Sequence, residues 1–374
     1  MKIAKIEAYG IRCPEPNDNG NLRHAALVRV ETDCGLVGWG EGIAMWPEAV
    51  RAVTVLIEHG FAPMLIGQDP TETEAIWNQM KRHVWWYGEG GIASFAISAI
   101  DIALWDIKGK ALGVPLYKLF GGKVQDKLPS CASIHVKHAT HEENAAEIYG
   151  YMEEGYQSVK VGFGKKGQAR LGREARYDQD FARTVRERIG DDKGFIIDIG
   201  NNVKWDVAHA IRMTKAFEQY GIHWIEEPFH PSDIEAHRQL REATSTLIGT
   251  GEREWTVDGY HKLLKSGIVD VVGVDPARVE GITAFRQIIN LTGAEKRKFN
   301  AHAWSTAITS AASIHLSISS PHCLLMEYKP LPNPMQDELV YEPIKHKDGY
   351  AVAPEAPGLG IEVNEDKVRE YRFI

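Results

Sequence analysis

Between residues 126 and 339 the chain repeats one pattern: a short apolar run, a polar or charged residue at its end, then a helical stretch. The run ends are Lys160, Asp198, Glu226, Glu252, Asp275, His302 and Glu327. They recur at intervals of roughly 23 to 38 residues, the length of a repeated strand and helix with their loops. Phe195-Ile196-Ile197 leads into Asp198, His223-Trp224-Ile225 into Glu226, and Thr246 to Gly251 into Glu252. Short apolar runs bounded by polar residues read as strands covered on both faces, as in a parallel sheet. Leu128 to His135 supplies one more strand, the first in order. Eight parallel strands with intervening helices, with room for one helix to be degenerate, predict a closed (β/α)8 barrel. An open doubly wound sheet would want a Gly-rich phosphate turn after its first strand, and the sequence has none there. In a barrel the polar strand ends face one common mouth.

Residues 1–125 follow a different rule. Ile3 to Tyr9, Ala26 to Thr32 and Leu36 to Glu41 alternate apolar and polar, with Asp33-Cys34-Gly35 as a hairpin turn, so an antiparallel meander is expected. The Pro/Gly/Asn-rich segment from Cys13 to Asn21 reads as a disordered tip or a lid, outside any core. From Glu48 to Gly113 the period becomes helical: Ile97, Ile100, Asp101, Leu104 and Trp105 recur at spacings of three and four, and Gly113-Val114-Pro115 stops the helix. Strands followed by helices predict an α+β capping domain over 1–125, joined by the turns and short strands of 340–374. The barrel takes 126–339.

Net charge and cysteines narrow the partners. At −8 the chain is a poor match for nucleic acid or an anionic membrane. Cys13, Cys34, Cys131 and Cys323 lack CxxC spacing, which argues against a zinc knuckle or a disulfide framework. With no signal-peptide core at Met1 to Glu7 and no apolar run of bilayer length, a cytoplasmic protein is expected.

Asp198, Glu226 and Glu252 would bring three carboxylates to one end of the sheet. Like charges that close stay ionised only if a cation shares the space, and three hard oxygen ligands suit Mg²⁺. Lys160 would project near them, ahead of Lys165-Lys166, read as exposed. Across the mouth, Asp275 and His302 end adjacent strands, so the carboxylate can orient the imidazole and raise its basicity. Glu327 could hydrogen-bond a substrate oxygen if protonated. Bases on both sides of a cation fit removal of a proton α to a carboxylate, where the ion stabilises the second negative charge of the enediolate.

These pieces resemble the mandelate racemase subgroup of the enolase superfamily over almost the whole chain, most closely its acid-sugar dehydratases and sugar-lactone cycloisomerases. The resemblance is carried by Ile100 to Lys110, Trp224-Ile225-Glu226-Glu227-Pro228, Gly251-Glu252, Asp275 with Gly281-Ile282-Thr283, His302-Ala303-Trp304-Ser305-Thr306 and Pro357 to Ile361. It implies one Mg²⁺ on Asp198, Glu226 and Glu252, with Glu227 not a direct ligand. It also implies an Asp275–His302 dyad, Lys160 as the second lysine of a Lys-x-Lys motif, and a homo-oligomer. Two departures stand out. Ser158 replaces the motif's first lysine, which removes a cation unless Arg253 or another lid cation replaces it. Ile199-Gly200-Asn201 follows the first ligand where the family more often has a small residue and then Asn.

The expectation is therefore an acid-sugar dehydratase in which His302, or Lys160, takes the α proton and the β-hydroxyl leaves to give a 2-keto-3-deoxy acid. Substrate contacts are expected from Ser158, Arg23, His24, Trp46, Tyr87 and Trp304. A racemase, epimerase or lactone cycloisomerase of the same fold is the first alternative. A metal- and sugar-acid-binding barrel without catalysis, suggested by Ser158, is the second.

Overall fold

The computed structural model describes residues 1–165, 169–200, 202–302 and 304–374. Lys166, Asn201 and Ala303 of the motifs above lie outside the described residues. The first three strands, β1 (Ile3–Glu15), β2 (Asn21–Thr32) and β3 (Val37–Met45), form the antiparallel meander. Gly35, with φ of 83°, makes the expected turn between β2 and β3. β1 and β2 run well beyond their apolar cores, to Glu15 and from Asn21, joined by the short turn Pro16–Asp18. The segment from Cys13 to Asn21 is therefore no disordered tip. Glu15 pairs with buried Lys329, while Asn17 exchanges hydrogen bonds of 3.0 Å with the backbone of Leu331 in both directions. Partners more than 300 residues away satisfy the polar groups that make this stretch look like a loop.

Helix Gly91–Leu112 packs across the meander and ends at Gly113 in the left-handed conformation. Its apolar faces are covered on one side by β3 and on the other by the barrel helix Gly281–Ala294. Asp101 accepts from the Thr283 backbone N–H at 2.9 Å and from its hydroxyl at 2.6 Å, and the Trp105 indole donates to the same hydroxyl. Gly281 permits this approach: a Cβ there would stand 2.3 Å from an Asp101 carboxylate oxygen, and its φ is 90°. Buried Glu41 of β3 accepts from the hydroxyls of Ser305, Thr306 and Thr309, a second clasp between the two layers.

The barrel closes as eight parallel strands: β4 (Leu128–Ile134), β5 (Ser158–Gly162), β6 (Gly194–Asp198), β7 (Trp224–Glu226), β8 (Leu247–Thr250), β9 (Val271–Val274), β10 (Lys298–Ala301) and β11 (Cys323–Tyr328). β11 pairs back onto β4, and β12 (Tyr350–Ala351) adds antiparallel to β4. Helices follow every strand, the last reduced to Pro334–Asp337. One strand end differs from expectation. β5 continues past Lys160 to Gly162, and Gly162, not Lys160, lies in register with Asp198. Alternation along a strand then sets Lys160 one inward layer below the mouth and Ser158 one layer lower still.

No helix among the described residues is long and apolar enough to cross a membrane.

Candidate active site

A cavity of about 380 Å³ lies where the capping meander meets the C-terminal ends of the barrel strands. Arg23, Met45, Trp46 and Phe95 form its capping wall, while Asp198, Glu252, Asp275 and His302 rise from the barrel, with Lys160 at its floor. Trp304, from the loop after β10, closes the side facing β4.

The clearest pairing is Asp275 with His302. Asp275 is fully buried; its Oδ1 accepts the Ala277 N–H at 2.8 Å and its Oδ2 lies 2.7 Å from His302 Nδ1. With Nδ1–H directed at the carboxylate, Nε2 is left facing the cavity, 3.7 Å from Glu252 Oε2. Burial alone would lower the His302 pKa, but the charge of Glu252 and the bond to Asp275 outweigh it and carry it up to about 8.

The three carboxylates read as metal ligands sit on adjacent strands but are not gathered into a ready ligand cluster. Among the described residues no group of three acidic, histidine or cysteine side chains stands close enough to hold an ion as placed. Both oxygens of Glu226 are engaged elsewhere: Lys160 Nζ donates to its Oε1 at 2.7 Å and the Trp224 indole to its Oε2 at 2.8 Å, and Glu226 does not line the cavity that Asp198 and Glu252 share. The donor set nonetheless suits a hard divalent cation. Asp198 Oδ1 is buried without a hydrogen-bond partner. Burial and the neighbouring Glu252 carboxylate raise the Asp198 pKa, against Lys165 and Lys160. Burial also raises that of Glu226, with Asp198, Glu327 and Glu252 adding to the rise against Lys160. Carboxylates crowded enough to disfavour one another's charge are what a bound cation relieves.

Lys160 is not placed as a base. Burial works against its charge, but Glu226, Glu327, Asp198 and Glu252 together hold its pKa well above the usual lysine range. Its Nζ donates to Glu226 and to Glu327, 2.7 Å each. Glu327 is thereby occupied as its counter-ion, with Asn300 as a further donor, and does not line the cavity.

Of the expected substrate contacts, Arg23, Trp46 and Trp304 line the cavity. Three do not. Ser158 does not reach it; its hydroxyl lies 3.4 Å from the Ser130 carbonyl. His24 packs its ring against Phe373, 5.2 Å between centroids. Tyr87 stands exposed beyond the end of helix Thr73–Val84. Arg253 does line the cavity while its guanidinium is held by Glu227 and the Phe229 carbonyl.

Three titratable cavity residues were not anticipated: Lys165, His135 and Arg278. Lys165 is half-buried rather than exposed, because Gly162 leaves room at the strand end. A Cβ there would lie 2.7 Å from the Lys165 Cε and 2.9 Å from the His135 Cδ2. A glycine at a strand end beside chain-borne charges was the available signal for this filling.

Residues 143–367 match the family model described as enolase C-terminal domain-like, and residues 21–121 match that of the mandelate racemase / muconate lactonizing enzyme N-terminal domain. The chain is 30% identical to the D-galactarolactone cycloisomerase of Agrobacterium fabrum, covering 100% of this chain and 99% of that protein. It is 31% identical to a D-galactonate dehydratase family member of Salmonella enteritidis, over 92% of this chain and 89% of the relative. The structure superposes with a TM-score of 0.87 on a racemase from Streptomyces coelicolor solved with bound magnesium, at 25% identity and 99% coverage of both chains.

Proposed function

The chain belongs to the mandelate racemase / muconate lactonizing enzyme family of the enolase superfamily, and from that premise we propose that it is an acid-sugar dehydratase. The observation that carries this reading is the buried Asp275–His302 pair, whose free Nε2 faces the cavity shared by Asp198 and Glu252. Asp275 fixes the tautomer and supports the imidazolium, so His302 can take the proton α to the substrate carboxylate. Asp198, Glu226 and Glu252 would hold a divalent cation, Mg²⁺ by the chemistry of three carboxylate oxygens. Such an ion, when bound, stabilises the negative charge that builds on the substrate carboxylate as the α proton leaves.

The chain's own residues do the rest. Lys160 supplies positive charge at the cavity floor, Arg23 and Trp46 meet the distal part of the substrate from the capping wall, and the capping layer excludes water. Loss of the β-hydroxyl from the resulting enediolate gives the 2-keto-3-deoxy acid. The full-length similarity to a lactone cycloisomerase favours a second reading, in which the leaving group is the ring oxygen of an acid-sugar lactone.

A panel of acid sugars and their lactones, incubated in D₂O with the enzyme and Mg²⁺, tests the proposal. Formation of 2-keto acid from an open-chain acid sugar is expected. Turnover of lactones alone would favour the second reading, and α-proton exchange or epimerisation without keto acid would refute the dehydratase.

A further inference from the structure

A second carboxylate–imidazole pair faces the same cavity, and the reaction proposed above leaves it without a role. His135 lies immediately after β4, its Nδ1 3.2 Å from Asp18 Oδ1 on the capping turn. The imidazole is largely buried, with 10% of its side chain exposed, and stacks on Trp304 at 4.4 Å with 22° between the ring planes. Its other edge points to the gap at Gly162, where a Cβ would stand 3.3 Å from Nε2. Nε2 makes no hydrogen bond among the described residues, and His135 lines the cavity.

Each feature of the Asp275–His302 pair recurs here: a carboxylate on Nδ1, a ring fixed by packing, and Nε2 free toward the substrate. Eliminating a β-hydroxyl moves two protons, one off the α carbon and one onto the departing oxygen. Hydroxide is a poor leaving group, so the second transfer needs a positioned acid.

We propose that His135, oriented by Asp18 of the capping domain, delivers the proton to the departing β-oxygen while His302 takes the α proton. This rests on the dehydratase reading. The electron pair of the broken α C–H bond is held first in the enediolate; as it returns to form the carbon–carbon double bond, the C–O bond breaks with its pair passing to oxygen. His135 Nε2–H supplies the proton that makes this oxygen water. The enol then ketonises: His302 returns the proton it took to the β carbon, the enol O–H proton passes to solvent, and neutral His135 regains its own proton from solvent. Asp18 is a positioning residue: it holds the ring and supports the imidazolium.

The test compares two leaving groups on one protein. His135→Gln is assayed with an acid sugar that the wild type dehydrates and with its β-fluoro analogue, because fluoride departs without a proton. Water loss is expected to slow by about 10²- to 10³-fold, and fluoride release by less than about tenfold, with α-proton exchange retained. Asp18→Asn should show the same split, more weakly. Equal slowing with both leaving groups would assign His135 a structural role and overturn the proposal, as would undiminished water loss. If the wild type itself neither exchanges the α proton nor forms keto acid, it is the dehydratase reading that fails, and this assignment falls with it.

Discussion

Replacing Asp275 with Asn reverses the proton on His302 without disturbing the fold around it. The Ala277 N–H, 2.8 Å from Asp275 Oδ1, needs an acceptor, so the Asn carbonyl takes that place and the amide NH₂ faces His302 Nδ1. A donor there obliges Nδ1 to accept, which moves the ring proton to Nε2, the nitrogen that faces the cavity. The base then lacks its lone pair where the α proton must go. In hydrolases the equivalent change costs about 10⁴ in kcat through the wrong tautomer, so a fall of about 10³ to 10⁴ is expected here. At about 1.4 kcal/mol per tenfold that is roughly 4 to 5.5 kcal/mol of transition-state stabilisation. Keto-acid formation measured over hours on the best acid-sugar substrate has the range to see it, and a thermal melt within a few degrees of wild type confirms that the fold is kept. A variant within about tenfold of wild type would refute His302 as the base oriented by Asp275.

Gly281→Ala should cost about 3–5 kcal/mol in chemical denaturation, since the Cβ displaces Asp101 from both Thr283 donors and leaves a buried acid unpaired; a loss under 1 kcal/mol would contradict the docking role of that contact. Lys160→Met leaves Glu226 and Glu327 buried without their shared cation, so a similar loss is expected together with loss of turnover, and unchanged stability would show that the pairing is not structural. His315 gives a pH signature. It accepts the Tyr117 N–H on Nδ1 and lies 3.0 Å from the Leu359 carbonyl through Nε2, and burial lowers its pKa to about 4. The unfolded chain protonates first, near 6.5, so its contribution is full above pH 6.5 and is lost as pH falls toward 4. Between pH 7 and 5 it should remove about 2 kcal/mol, a share of the acid-side loss that His315→Gln takes away; an identical slope in the variant would refute this.

The barrel was legible because its strands are covered on both faces and so read as unbroken apolar runs such as Phe195-Ile196-Ile197. The Asp275–His302 pair was legible for the same reason, since adjacent strand ends leave little freedom in where the side chains meet. Residues whose place depends on distant partners were hidden. Glu15 and Asn17 look like loop residues until Lys329 and Leu331 are brought beside them. Lys160 could be assigned to the barrel interior but not to its layer, because Val161-Gly162 can be read as strand or as loop. Lys165 and His135 enter the cavity only because Gly162 lacks a side chain, and the exposure of Tyr87 beside Trp85 and Trp86 overrides the ordinary expectation that aromatics are covered.

The central claim is that Asp198, Glu226 and Glu252 jointly bind one divalent ion on which removal of the α proton depends. Its most direct measurement is α-proton exchange in D₂O by enzyme stripped with a chelator and then titrated with Mg²⁺. Exchange should be absent in the stripped enzyme and return in proportion to added ion up to one equivalent per chain, and Asp198→Asn should fail to recover it. Full exchange in the stripped enzyme would contradict the account.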